Sequence, residues 1–190
     1  MGKRHIISIS GDLASGKGTV SKILSDDLNF GIYKNGEYFR KLAKEHGMDV
    51  TSFNKYVESH PEIDIAIEKS AGDYAKSHDN FIIDARLGWY AVPESFKVYL
   101  RVDLDESARR AFNDPNRKST ENFSTIEEQK EDIKKRYELE NLRYWNLYHV
   151  RKEDMSNYDL VVDTTKLTPN EVAEKIKNEY FKWLEKKYYK

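Results

Sequence analysis

Apolar residues fall along this chain in short runs that alternate with longer amphipathic stretches. Ile6-Ile7-Ser8-Ile9 is β-branched and soon meets glycine, the pattern of a buried strand. Thr19 to Leu28 follows, with apolar residues at Val20, Ile23, Leu24 and Leu28, a helical spacing. Gly31-Ile32-Tyr33 predicts a weak second strand. Glu37 to about Ser77 predicts helix, broken near Gly47 and at His60-Pro61, because proline disfavours a helical residue before it. Phe81-Ile82-Ile83 predicts a third strand ending in Asp84, Phe96 to Val102 a fourth, and Leu160-Val161-Val162 a fifth ending in Asp163.

Helix starts are marked by capping residues. Asp103 with Glu106, Ser124 with Glu127, and Thr168 with Glu171 each place a cap three residues before a glutamate, and Pro169 takes a first helical position. Strands separated by helices require crossovers, which predicts a three-layer α/β fold: a five-stranded parallel sheet with helices on both faces. Ile176, Tyr180, Trp183 and Leu184 have the spacing of a last helix packed on that sheet. The polar stretch Asn113 to Phe123, with Pro115, Arg117 and Lys118, reads as a loop between two helices. Its basic residues suit closure over an anion, and a solvated surface loop is the plainer alternative.

Composition narrows the chemistry. The chain has 190 residues, the size of one domain, expected to span 1–190. Lys and Arg number 32 against 33 Asp and Glu, a net charge of −1, so no nucleic-acid partner is expected. Cysteine is absent, which removes disulfides, thiolate catalysis and thiolate zinc. No apolar run approaches a membrane span and no targeting signal opens the chain, so a cytoplasmic protein without a membrane partner is expected. The expected state is a monomer or a weak homodimer, with Tyr188-Tyr189 a possible contact.

The strongest motif is Gly11-Asp12-Leu13-Ala14-Ser15-Gly16-Lys17-Gly18-Thr19, directly after a predicted strand and opening a predicted helix. Glycines let backbone N–H groups turn inward around phosphates, and the helix N-terminus adds its positive end. Lys17 would reach the β- and γ-phosphates of ATP, and Thr19 would face Mg²⁺. Gly18 stands where Ser or Thr is usual. Asp84, at the end of the third strand, can hold the water shell of Mg²⁺; an ordinary turn or cap is the plainer alternative.

Phosphoryl transfer needs charge neutralisation, and guanidinium forks suit it. The candidates are Arg40, Arg86, Arg109, Arg110, Arg117, Arg136 and Arg143. Arg136 and Arg143 lie seven apart on one predicted helix, so both point to one face about 10 Å apart. Glu140, four residues after Arg136, offers a surface ion-pair ladder as the competing reading.

These stretches together resemble the cytidylate kinase-like branch of the nucleoside monophosphate kinases, especially its short archaeal-type members. The likeness runs from about Ile6 to about Ile176. It rests on Gly11 to Thr19, Gly36-Glu37-Tyr38-Phe39-Arg40, Lys44 to Asp49, His60-Pro61-Glu62-Ile63-Asp64, Asp84-Ala85-Arg86-Leu87-Gly88-Trp89, Arg136 with Arg143-Tyr144, and Tyr158 to Val161. Asp12-Leu13-Ala14 departs from the usual loop middle, and Ala85 replaces a glycine common after the acid. The resemblance implies that Arg40, Arg86 and Gly88 bind the acceptor, that Lys17, Arg136 and Arg143 surround the transferred group, and that Arg110 lies against ATP. It implies an acceptor flank over about 36–78 and a lid over about 113–124 that carries Arg117. The implied reaction moves the γ-phosphoryl group of Mg·ATP to CMP or dCMP. Two other readings stay open: a kinase for another small acceptor, and a nucleotide-binding regulator without turnover.

Overall fold

Strand β1 (Ile6–Gly11) lies at the centre of a five-stranded parallel sheet. We describe a computed structural model of the chain; the described residues are 4–48, 52–53, 56–57, 59–115 and 123–188. After β1 come α1 (Lys17–Leu28), β2 (Gly31–Lys34), α2 (Asn35–Glu45), α3 (Pro61–Ser77) and β3 (Phe81–Asp84). Then follow α4 (Gly88–Ala91), β4 (Phe96–Arg101), α5 (Leu104–Asn113), α6 (Ile126–Tyr148), a 3₁₀ turn (Met155–Asn157), β5 (Leu160–Asp163) and α7 (Pro169–Tyr188). The sheet order is β2-β3-β1-β4-β5. Ile9 stands level with Asp84 on one side and Val98 on the other, so β1 and β3 deliver the phosphate-loop entry and Asp84 to the same end of the sheet.

Alternation along the strands builds the layers. Ile7, Ile9 and Ile82 face α1 and α7, where they meet Val20, Leu24, Val172, Ile176 and Tyr180. Ile6, Phe81 and Ile83 face the opposite way, onto Ala71 and Ala75 of α3 and Val92. This is the expected three-layer arrangement. Trp183 and Leu184 join the first of these clusters, as the spacing of the last helix implied.

Several boundaries differ from expectation. Helix α1 begins at Lys17, because Gly16 in the left-handed region (φ 91°) turns the chain straight into it. Helix α2 begins at Asn35, directly from β2, and β4 stops at Arg101. The cap of α6 is Thr125, not Ser124: Thr125 Oγ1 accepts from Glu128 N–H, and Ser124 N–H donates to the Glu128 carboxylate. The caps at Asp103 and Thr168 are formed as read; the Thr168 pair is reciprocal, with Thr168 N–H donating back to Glu171. Helix α4 went unread because four residues carry no period.

Helix α6 positions the site. Ile133, toward one end, packs with Ala108 and Ala111 of α5 and with Leu13 and Ala14 of the phosphate loop. Tyr144, toward the other, packs with Leu87 and Trp89 after β3. The helix therefore lies across two regions. Of the expected lid, residues 116–122 with Arg117 lie outside the described residues. Among the described residues no helix is long and apolar enough to cross a membrane.

Candidate active site

The loop from Gly11 to Thr19 is held from behind by β4. Gly11 has φ 153°, and a Cβ there would lie 2.4 Å from the Leu100 carbonyl oxygen, so only glycine fits. Asp12 N–H donates to Leu100 O at 2.9 Å. The Asp12 carboxylate accepts from Tyr99 Oη at 2.5 Å and from Val102 N–H at 3.0 Å. Asp12 thus anchors the loop, and its own amide is not available to a phosphate. Gly16 begins α1 with no side-chain cap. Uncapped N–H groups at a helix start form an anion site. Ser15 Oγ is buried with no hydrogen-bond partner.

Lys17 folds over this loop and donates to Gly11 O at 3.1 Å and Asp12 O at 3.2 Å. Burial lowers its pKa to about 8, with Asp84 opposing the shift and Arg86 adding to it. Asp84 shifts the other way: burial pushes its carboxyl up, and Lys17, Lys34 and Arg86 offset part of that. Its Oδ2 lies 3.9 Å from where a Cβ on Gly18 would sit, next to the exposed Thr19 at the head of α1.

Two clefts meet beside Lys17. The first, about 510 Å³, is walled by Gly11, Asp12, Lys17, Arg86, Arg136, Glu140 and Lys152. We call it the loop cleft. The second, about 810 Å³, is walled by Arg40, Arg86, Arg143, Asn35, Asp64 and Glu68, with Phe39, Ile67, Leu139 and Leu142 as apolar faces. We call it the arginine cleft. Arg86 belongs to both walls.

The predicted arginines divide between these places. Arg136 lines the loop cleft and pairs with Asp132 at 3.6 Å, not with Glu140. Arg143 lines the arginine cleft instead, with Nε 3.3 Å from Asp64. Two helical turns carry these residues into different clefts, a separation the shared face did not reveal. Arg40 lines the arginine cleft. Arg110 is tied to Glu106 and to the carbonyls of Thr164 and Thr165, with its Nη1 3.5 Å from Ala14 O, and it lines neither cleft. Arg109 forms a two-pronged pair with Glu106 on the exposed side of α5. Gly88 also lines neither cleft. It is a packing position, where a Cβ would lie 2.9 Å from Ile83 Cγ2.

Four wall residues had no assigned role in the sequence reading. Asp64 and Glu68 are buried, one turn apart on α3, a spacing that could have marked them. Asn35 Nδ2 donates to Glu68 at 3.2 Å, and burial, then Asp64, raises Glu68 to a pKa of about 7. Glu140 and Lys152 are the other two. Glu140 Oε1 lies 2.7 Å from Arg86 Nε, and Oε2 accepts from Lys152 Nζ at 2.7 Å. Burial pushes Glu140 up, but Arg86 and then Lys152 outweigh it and hold the carboxyl below its usual value. Lys152 carried no signal, since it falls in a short polar connection.

The family model described as AAA domain matches residues 7–134. A cytidylate kinase of Thermoplasma volcanium is 37% identical over 172 residues, covering 88% of this chain and 86% of that protein. The chain belongs to the cytidylate kinase-like family of P-loop kinases. A second relative, the S-adenosylmethionine-dependent nucleotide dehydratase of Lacinutrix mariniflava, is 37% identical over 93% of this chain but only 36% of its own length. The fold is shared with shikimate kinase from Acinetobacter baumannii, at a TM-score of 0.62 and 14% identity, over 95% of this chain and 94% of that one. The family places the chain among ATP-dependent phosphotransferases, specifically nucleoside monophosphate kinases, and sets aside a nucleotide-binding regulator without turnover. For this P-loop kinase the loop and the paired clefts described above are the machinery to be explained.

Proposed function

We propose that this kinase transfers the γ-phosphoryl group of ATP to CMP or dCMP, with the donor in the loop cleft and the acceptor in the arginine cleft. The observation that carries the reading is the position of Arg86 in the walls of both clefts. A cation at that junction meets the phosphate of the acceptor and the group being transferred. Arg40 and Arg143 extend the same positive wall. The apolar faces of Phe39, Ile67, Leu139 and Leu142 suit a flat base. Asp64 and Glu68 offer acceptors for an exocyclic amine, which cytosine has and uracil lacks.

The chemistry needs no general base, because an acceptor phosphate oxygen is already anionic. That oxygen forms the new bond to the γ-phosphorus as the bond to the β-bridging oxygen breaks, leaving ADP. Lys17 and the uncapped N–H groups of α1 stabilise the negative charge on the transferred group. Arg136 adds a cation from α6. Mg²⁺, bound with ATP, would neutralise charge on the β- and γ-oxygens. Its holders would be Thr19 and Asp84. Among the described residues no cluster of three or more acidic or histidine side chains could cage a metal, which fits an ion that keeps waters and binds through phosphates.

The relatives named for cytidylate and for nucleotides support a nucleotide acceptor. A second reading, a small non-nucleotide acceptor, draws on the fold shared with shikimate kinase. A coupled assay of ATP with CMP, dCMP, UMP, AMP, GMP and shikimate decides between them. CMP or dCMP should give the highest kcat/KM; turnover of shikimate alone would overturn the proposal.

A further inference from the structure

Glu140 is clamped between two cations from distant parts of the chain. Its Oε1 pairs side-on with Arg86 Nε, and its Oε2 takes Lys152 Nζ, each at 2.7 Å. Lys152 is only 5% exposed, and its ammonium also sits 4.4 Å from the Tyr137 ring centroid. All three charged groups line the loop cleft, and Arg86 continues into the arginine cleft.

A carboxylate that orients an arginine also cancels its charge. At a half-buried site that cancellation is strong, because solvent and salt screen it weakly. A Glu140–Arg86 pair alone would be neutral and would present little attraction to a phosphate. With Lys152 the three side chains carry one surplus positive charge. Contact through Nε is also the arrangement that holds a guanidinium without occupying its terminal fork.

We propose that Glu140 and Lys152 form a positioning pair for Arg86: Glu140 aims the guanidinium, and Lys152 keeps the triad cationic toward the acceptor phosphate. This rests on the reading of Arg86 as a ligand of that phosphate. A purely structural ion pair predicts something else, a loss of stability alone.

The test is steady-state kinetics and thermal melting on wild type, Lys152→Met, Lys152→Arg, Glu140→Gln and the double variant Glu140→Gln/Lys152→Met. Lys152→Met should raise the CMP KM by about tenfold or more and leave the MgATP KM within about twofold, the scale of one charge-assisted contact. Lys152→Arg should stay near wild type. The double variant restores the surplus charge, so its CMP KM should return toward wild type while kcat stays low for want of aim. A folded Lys152→Met enzyme with an unchanged CMP KM, or a double variant no better than Lys152→Met, overturns the proposal. If Lys152→Met does not fold, Glu140→Gln decides: kcat should drop about tenfold with no rise in CMP KM, and an unchanged kcat overturns the idea. Wild type that phosphorylates no monophosphate overturns the acceptor reading and this proposal with it. Active wild type with indifferent variants overturns this proposal alone.

Discussion

Tyr99 donates its phenolic hydrogen to Asp12 Oδ1 at 2.5 Å, tying the phosphate loop to the last turn of β4. Burial, then the Asp12 charge, raises the Tyr99 pKa, so the phenol remains a donor across the working pH range. Tyr99→Phe leaves a buried carboxylate oxygen without its donor and should cost about 1.5–3 kcal/mol of stability, the scale for a hydrogen bond to a charged group. Chemical denaturation of the nucleotide-free protein checks this. A variant as stable as wild type would show that Val102 N–H alone holds Asp12.

Lys17 carries a trade-off between stability and turnover. Its folded pKa of about 8 lies below the ordinary lysine value of 10.5, so the native state binds this proton less well than the unfolded chain. The resulting penalty is complete below pH 8 and fades as pH rises from 8 toward 10.5. Lys17→Met should therefore melt higher than wild type at pH 7 without nucleotide, with the gap closing toward pH 10.5. Turnover should drop by roughly a hundred- to a thousandfold, as for loss of one charge-stabilising donor. A lower melting temperature at pH 7 would contradict the burial argument.

Glu68 predicts a different pH signature. Its folded pKa of about 7 is above the ordinary 4.5, so the native state holds the proton more tightly than the unfolded state between those values. Relative to Glu68→Gln, wild type should lose stability as pH rises from 4.5 to 7 and then level off. Paired melting curves across that window measure the difference. A flat difference would mean that Asn35, Arg86 and Arg143 already satisfy the ionised form.

Arg40 tests the charge of the acceptor. Arg40→Met should raise the KM for a monophosphate by about 10- to 100-fold, since a hydrogen bond to a charged group contributes roughly 1.5–3 kcal/mol. The MgATP KM should stay put, because Arg40 lines only the arginine cleft. An equal rise in both would place Arg40 in general packing of the flank.

Asp64→Asn probes base choice. Asp64 Oδ2 is buried without a hydrogen bond, beside Arg143 Nε at 3.3 Å. An amide there can donate as well as accept, so the CMP-to-UMP ratio of kcat/KM should fall by about tenfold, the scale of one mispaired polar contact. An unchanged ratio places the base elsewhere in the cleft.

The sequence by itself determined the scaffold of this kinase. Ile6 to Thr19 is strand, loop and helix in one continuous stretch, and its glycines answer to local backbone geometry, so the phosphate loop was readable from composition and order. The five strands were readable for the same reason, since alternation and β-branching are local properties. Arg40 and Arg86 were picked out by their neighbours and do share a cleft. Tertiary structure alone decided which cation faces what. Arg143 and Arg136 part into separate clefts because α6 crosses the junction between them. Arg110 is consumed by carbonyls after β5, and Gly88 by Ile83. Glu140 answers to Arg86 and Lys152, not to the arginine one turn before it. Helical spacing sets which side chains share a face, whereas the partner of a charged group is set by whatever the folded chain brings within a few ångströms, and that is information no local window contains.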